Sequence, residues 1–277
     1  TIFVSANKFI VSKNFILRKF MNIHENLKLP DHKEAMNAVN EKGFVILKNC
    51  VSSEFIDSQR KRWGQMFKHK NVNRKFVRGG IILGEPDFIS YSDIKAWCMF
   101  RSFEFLWNKT SDKIALDLHL EIHKFRNRMQ GFPSDYGLNY NEDNYGIYIS
   151  TSFYPSGKGM MLAHEDSHGD TPILHYMLPY TFKGKDYSHG GLTCKDKSGK
   201  LNDIDINVEP GDIIFFDGRQ EHGVDLVNGD NTEIPGRLAV FTIPTHFSPS
   251  TRFGVMKRSL EIYAKEWANQ LGLIKLG

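Results

Sequence analysis

Hydrophobic positions follow two rhythms along the chain, helical spacing in several early segments and strand-like alternation or short continuous apolar blocks beyond residue 145. Residues 31–40 (DHKEAMNAVN) read as a helix, and the Phe44-Val45-Ile46-Leu47 block that follows reads as a strand. Ser52, with Ser53 and Glu54 behind it, offers an N-cap for a further helix running to about Lys68. Leu116 to Phe125 again carries apolar residues at helical spacing and is expected against a sheet. Gly146 to Tyr154 alternates, which places Tyr148, Ser150, Ser152 and Tyr154 on one face of a strand. Ile213 to Phe216 is a short buried strand between the turn signals Val208–Asp212 and Asp217-Gly218. Leu238 to Ile243 forms another β run, and Val255 to about Leu271 is helical by pattern, with Leu260, Ile262, Tyr263 and Trp267 available for packing.

The remaining zones carry weaker patterns. Residues 8–20 alternate basic and apolar positions and read as an amphipathic segment lying on the core. Most of the aromatic residues Trp97, Phe100, Phe103, Phe105 and Trp107 of the middle zone are assigned to the core. The polar stretch 127–144 reads as a long connection, and ordered connections of such length are commonly functional, so it is a candidate lid. No internal repeat or low-complexity tract interrupts the chain.

Composition narrows the classes. A chain of 277 residues with 40% hydrophobic content can bury one large core, so a single domain over 1–277 is expected. Within it, 1–145 supplies supporting helices, strands and loops, 146–247 the β core, and 248–277 a C-terminal helix that braces the core or joins two copies as a homo-oligomer. Thirty-six basic against 32 acidic residues leave a net charge of +4, and the basic residues are scattered, so no nucleic acid partner is expected. No stretch of about 18 uncharged apolar residues is present, hence no membrane span is expected. Cys50, Cys98 and Cys194 are odd in number and widely spaced, which fits neither a disulfide framework nor a zinc knuckle and points to a reducing, cytoplasmic setting.

The chemistry concentrates in three short texts, AHEDSH at 163–168, EPGDIIFFDGRQEHGV at 209–224 and PGRLAVFTIP at 235–244. In an extended segment alternate side chains share a face, so His164 and Asp166 point one way and Glu165 the other. His222, delivered by a separate strand region, completes two imidazoles and one carboxylate. That set is the facial triad of non-heme Fe(II) sites, which leaves positions open for further ligands. Arg237 stands at the entrance of a buried strand, where a cation is costly unless it meets an anion. The expected anion is the distal carboxylate of 2-oxoglutarate, gripped by the guanidinium fork.

On these residues the chain resembles the Fe(II)/2-oxoglutarate-dependent oxygenases, in particular their prolyl-hydroxylase-like and phytanoyl-CoA-hydroxylase-like branches. The resemblance rests on YPSGKGMMLAHED at 154–166, GGL at 190–192, PGDIIFFD at 210–217, HGV at 222–224 and GRLAV at 236–240, and it covers roughly the C-terminal half. It implies a mainly β fold with flanking helices, a double-stranded β-helix or jelly roll of the cupin kind. It implies Fe(II) held by His164, Asp166 and His222, 2-oxoglutarate held by Arg237 and contacted by Tyr154, O2 as co-reactant and ascorbate as a stimulant. The implied reaction is hydroxylation of an unactivated C–H bond, with release of succinate and carbon dioxide. The related halogenases lack a carboxylate at the position of Asp166, so retention of Asp166 favours hydroxylation over chlorination. Desaturation, cyclisation and epimerisation use the same ligands and stay open. The gap from His222 to Arg237 is longer than is usual in the family, and residues 227–236 read as an extended hairpin loop that absorbs the difference.

Other residues take blander assignments. His168 reads as an exposed turn histidine, His175 as a satisfied core histidine in an apolar run, and His246 as a loop residue beyond the Arg237 strand. Asp217 and Arg219 are expected to pair with each other, and Arg74 and Arg78, ahead of a Gly-Gly turn, offer a site for an acidic substrate. Two other classes share these ligands: a zinc- or manganese-bound cupin-like enzyme needing no oxo acid, and a barrel whose metal no longer serves turnover. A protein side chain is a further substrate class. The long polar connection ahead of a compact β core favours a small polar metabolite, such as an amino acid derivative or a specialised natural product.

Overall fold

The computed structural model describes residues 23–68, 88–105, 112–138, 145–166, 174–230 and 233–246, together with positions 264, 267 and 268. A single helical turn, α1 (Ile23–Asn26), precedes helix α2 (His32–Lys42), strand β1 (Phe44–Leu47) and helix α3 (Ser53–Lys68). Local polar chemistry sets these boundaries. The Asp31 carboxylate accepts the Lys33 and Glu34 backbone N–H groups at 2.8 and 3.1 Å and caps α2. Gly43, at φ 91°, closes the same helix in the left-handed conformation. Ser52 Oγ accepts the Phe55 N–H at 3.3 Å, so the sequence-predicted cap of α3 forms.

Strands β2 (Phe88–Ile94) and β3 (Trp97–Phe105) form a hairpin, and helix α4 (Lys113–Met129) follows, capped by Asp112 through the Ala115 N–H at 2.9 Å. Eight further strands then carry the chain from Tyr145 to His246. They are β4 (Tyr145–Pro155), β5 (Met160–His164), β6 (His175–Pro179), β7 (His189–Lys195), β8 (Leu201–Asp203), β9 (Ile213–Phe216), β10 (His222–Asn228) and β11 (Gly236–His246). Successive strands distribute between two antiparallel layers, β9-β6-β11-β4 and β5-β10-β7-β8, which is a jelly-roll arrangement. Strand β3 joins the layers along one side, pairing with β5 at Trp97 and Cys98 and with β4 from Phe100 to Phe105. Strand β1 extends the first layer, with Phe44 opposite Phe216.

Side-chain alternation separates the two faces of the first layer. Met99 and Tyr154 point between the layers and pack with Tyr187, Val224 and Val227. Their neighbours Phe100 and Phe153 point outward to Phe67 of α3, at ring-centroid distances of 6.2 and 5.7 Å. Phe125 of α4 covers Phe215 in the same outer layer at 5.8 Å. Helices therefore cover one face of β9 while the jelly-roll interior covers the other, which is why Ile213 to Phe216 is continuously apolar and fully buried. The sharp turn before it requires Gly211, at φ 93°, where a Cβ would come within 2.3 Å of the Val51 carbonyl oxygen.

One strand lies where no element is expected, and one expectation needs correction. The aromatic run at 97–105, of which Trp97 and Phe100 pack against the core, is a strand. It escaped recognition because Met99 and Phe100 face different packed surfaces, so no apolar–polar alternation marks the strand. The connection from β10 to β11 is a crossover, not a hairpin loop, because β10 pairs with β5 and β7 while β11 pairs with β4 and β6. Residues 8–20, Arg74, Arg78, Trp107, His168, part of the 127–144 connection and most of 255–271 lie outside the described residues, although positions 264, 267 and 268 are helical. Cys50, Cys98 and Cys194 are buried free thiols. No helix among the described residues is long and apolar enough to cross a membrane.

Candidate metal centre

His164, Asp166 and His222 converge, each offering one donor atom, and the three donors lie within 4.8 Å of one another. Backbone pairing achieves this. His164, the last residue of β5, stands opposite His222, the first of β10, and the Asp166 N–H donates to the Gly218 carbonyl at 2.8 Å. That last bond anchors the chain beyond β5 to the turn between β9 and β10. Glu165 is exposed and points away from the cluster, as strand alternation predicts.

Hydrogen bonds preset both imidazoles. His164 Nδ1 lies 2.8 Å from the Leu162 carbonyl, and His222 Nδ1 lies 2.8 Å from the Gln220 carbonyl. A carbonyl only accepts, so each Nδ1 carries the proton and each Nε2 presents a lone pair. Such outer partners orient metal-ligating histidines. The distances from Asp166 are 3.8 Å from Oδ1 to His164 Nε2 and 3.5 Å from Oδ2 to His222 Nε2. His222 Nε2 and Asp166 Oδ2 are buried without a hydrogen-bond partner among the described residues. Buried polar atoms normally have partners, and a cation between these donors would satisfy both. The donor set, two neutral imidazoles and a carboxylate, therefore fits a divalent transition metal.

Burial pushes the Asp166 carboxyl upward, but a hydrogen bond from His222 and the positive charge of His175, His222 and His164 in their protonated forms, as when no metal is bound, reverse this and hold it below the usual carboxylate range. The side chain of His222 is only 4% exposed, whereas His164 and Asp166 retain 26 and 23%. The cluster thus has a closed inner side and an open outer one. Phe216 closes the inner side, 4.9 Å from His222 between ring centroids, and Phe241 lies behind it at 5.8 Å.

His175 is buried in an apolar strand, as its sequence context predicts, yet it also adjoins the cluster. Its Nδ1 stands 3.6 Å from Asp166 Oδ2. A Cβ on Gly218 would approach the His175 ring to 2.7 Å, so the turn that anchors Asp166 also confines this histidine. Nothing local in the sequence distinguishes His175 from an ordinary core histidine. Asp217 and Arg219 pair as expected, with Arg219 Nε donating to Asp217 Oδ1 at 2.9 Å.

Arg237 lies at the start of β11, 1% exposed, opposite Tyr154 in the β4–β11 register. The anion it meets is internal. Arg237 donates to the Asp205 carboxylate through Nε at 2.6 Å and through Nη2 at 3.0 Å. Asp205 sits on a short 3-10 turn (Asp205–Asn207) and also accepts from Tyr187 Oη at 2.6 Å and the Leu192 N–H at 2.7 Å. Burial alone would raise the Asp205 carboxyl, but Arg237 and these donors lower it, and Asp205 in turn raises Arg237 against its own burial. Asp205 thus supplies a balancing charge for Arg237 from within the fold, where sequence context alone suggests a bound ligand. Arg237 Nη1 is buried and has no hydrogen-bond partner among the described residues. Tyr154 is buried as well, its ring 6.0 Å from the Arg237 Cζ.

A second guanidinium shares this interior face and was not singled out from sequence. Arg101 of β3 stands opposite Ser152 of β4, and its Nε donates to Ser152 Oγ at 3.0 Å. It lies two residues beyond Met99 and pairs two residues before Tyr154, so it occupies the rung next to that of Tyr154 and Arg237.

No family model matches the chain, and no curated protein sequence matches it. Solved structures do. The chain is similar to a prolyl-4-hydroxylase of Pseudomonas putida at 11% identity, over 80% of this chain and 100% of that one, with a TM-score of 0.55. It is similar to the non-heme alpha-ketoglutarate-dependent carbocyclase SnoK from nogalamycin biosynthesis at 15% identity, over 82% of this chain and 90% of that one, with a TM-score of 0.52. The epimerase SnoN from the same biosynthesis, also alpha-ketoglutarate-dependent, matches at 12% identity over 80% of this chain and 87% of that one, with a TM-score of 0.52. At such identities the likeness establishes architecture: the chain has the jelly-roll fold found in structures of 2-oxoglutarate- and iron-dependent oxygenases.

Proposed function

We propose that this chain is an Fe(II)- and 2-oxoglutarate-dependent oxygenase that hydroxylates an unactivated C–H bond of a small polar metabolite. The observation that carries the reading is the convergence of His164, Asp166 and His222, with each imidazole Nδ1 set against a backbone carbonyl and with Asp166 Oδ2 and His222 Nε2 buried without a hydrogen-bond partner among the described residues. Bound there, Fe(II) would activate O2 while 2-oxoglutarate is oxidatively decarboxylated to succinate and carbon dioxide. His164 and His222 contribute neutral nitrogen donors, and Asp166 contributes a carboxylate that stays charged. Phe216 and Phe241 keep water from the inner side, and the open side at His164 and Asp166 admits substrate.

The test needs no knowledge of the substrate. Purified protein given Fe(II), ascorbate, O2 and 2-oxoglutarate is expected to form succinate in an uncoupled reaction, and the Asp166→Ala variant is expected to form none. Absence of succinate from metal-loaded wild-type protein would remove the reading. One observation favours a second reading: the Arg237–Asp205 pair leaves no bidentate grip at the expected cosubstrate anchor. A cupin-like metalloenzyme without an oxo acid would tolerate such a pair. Metal-loaded protein with no affinity for any 2-oxo acid would select it.

A further inference from the structure

Resting on the metal-centre part of the oxygenase reading, we infer that His175 is a positioning residue for that centre: its Nδ1 holds Oδ2 of Asp166, so that the carboxylate turns Oδ1 to the metal ion. The three described imidazoles around Asp166 are not equivalent. His164 and His222 both direct Nδ1 to a backbone carbonyl, at 2.8 Å each, so the nitrogens they turn toward Asp166 are Nε2 lone pairs. A lone pair cannot donate to a carboxylate. His175 turns its Nδ1 to the same carboxylate, 3.6 Å from Oδ2, on a side chain that is fully buried. With the proton on Nδ1, it is the imidazole of the three placed to donate to Asp166. The separation exceeds the about 2.7–3.2 Å of a formed hydrogen bond, and a shift of about half an ångström by the carboxylate closes it.

The packing around His175 fixes which edge of the ring meets Asp166. Strand pairing sets His175, the first residue of β6, opposite Phe216, the last of β9. Phe216 and Phe241 then hold the imidazole edge to face, at ring-centroid distances of 5.3 and 5.4 Å and interplanar angles of 71 and 88°. A Cβ on Gly218 would lie 2.7 Å from Cε1 and 2.8 Å from Nε2, so that side of the ring rests on Gly218 while Nδ1 points to Asp166. Gly218 also accepts the Asp166 N–H at 2.8 Å. One residue of the turn thus sets both the backbone of the carboxylate ligand and the ring beside its side chain. A fully buried imidazole in an aromatic wall costs free energy unless its polar edge meets a partner, and Oδ2 of Asp166 is the carboxylate oxygen that this edge faces. Such contacts to a ligand's outer atom hold the ligand in the orientation a metal requires.

The test uses Co(II) as the probe, titrated without oxygen or any 2-oxo acid and followed by visible absorption, with thermal melting of the metal-free protein as the check on folding. Wild type should bind one Co(II) per chain. His175→Phe keeps a ring in the wall but removes Nδ1, and it should bind Co(II) about 10- to 100-fold more weakly, the effect typical of a lost outer-shell partner. His175→Asn fills the wall less well but puts an amide donor near the position of Nδ1, so it should recover most of the affinity and the wild-type Co(II) spectrum. His175→Gln puts its amide near the position of Nε2, on the Gly218 side, and should recover neither. A role in packing alone predicts the reverse order, with His175→Phe tolerated and His175→Asn damaging. The assignment is overturned if His175→Phe folds and binds Co(II) as tightly as wild type, or if His175→Asn binds it no better than His175→Gln; the oxygenase reading survives either result. If wild type binds no Co(II), the oxygenase reading itself fails, and this inference with it.

Discussion

Replacing Asp205 by Ala tests whether the Arg237 pair is structural. Asp205 accepts four hydrogen bonds, from Arg237 Nε and Nη2, Tyr187 Oη and the Leu192 N–H, and all three partner residues are buried. Each orphaned buried donor costs about 1–3 kcal/mol taken alone, but donors sharing one acceptor relax together, so the costs do not add. Removing one member of a buried ion pair costs about 3–5 kcal/mol, and that figure is the expected loss here. Set against a total stability of about 5–15 kcal/mol, it is a large fraction. Urea denaturation followed by circular dichroism reads it directly. The double variant Asp205→Ala with Arg237→Met removes the stranded cation and should regain most of the loss. A single-variant loss under about 1 kcal/mol, or a double variant no more stable than the single, would refute the account of Arg237 as a cation matched from within.

Four other outcomes follow from the same geometry. His164→Ala and His222→Ala should each abolish stoichiometric Co(II) binding, read from the visible absorption of the metal-loaded protein; retained binding by either would displace the site. Gly218→Ala would press a methyl group against the His175 ring, so it should weaken metal affinity about 10-fold or more through Asp166, roughly the effect of disturbing outer-shell groups; unchanged affinity would show that His175 and the turn do not bear on the metal. Asp196 accepts from the Ser198 hydroxyl, the Asn202 amide and the Lys200 and Ser198 N–H groups, which lower its carboxyl to about 2. Because its folded value lies below the unfolded one, its contribution to the β7–β8 turn is present above the unfolded value near 4 and is lost as pH falls toward 2; carboxyl NMR giving a midpoint near 4 would contradict this.

The metal ligands are legible in sequence because each sits in a local pattern with one physical reading. His164 and Asp166 are two residues apart at a strand end, and His222 follows a continuously apolar strand and a turn. The cap of α3 is legible for the same reason, since Ser52 acts on an N–H group three residues on. Arg237 is different. Its position shows that a buried cation needs an anion, but the anion lies 32 residues upstream on a 3-10 turn and is brought in by the crossing from β8 to β9. His175 and Arg101 are hidden likewise: one looks like a core residue, and the other falls in a strand whose two packed faces erase the alternation.

Motif reading therefore locates donors to a metal more securely than it locates a cation's true partner. A metal site of this kind needs its donors at fixed spacing from strand ends. A guanidinium can be balanced by any carboxylate the fold carries to it, from any distance in sequence. In this fold the arginine with the expected sequence context is matched by Asp205, whose place in the chain that context does not reveal. Recovery of stability in the double Asp205→Ala, Arg237→Met variant consequently reports on the balance of charge inside the jelly roll, because it removes the stranded cation together with its partner.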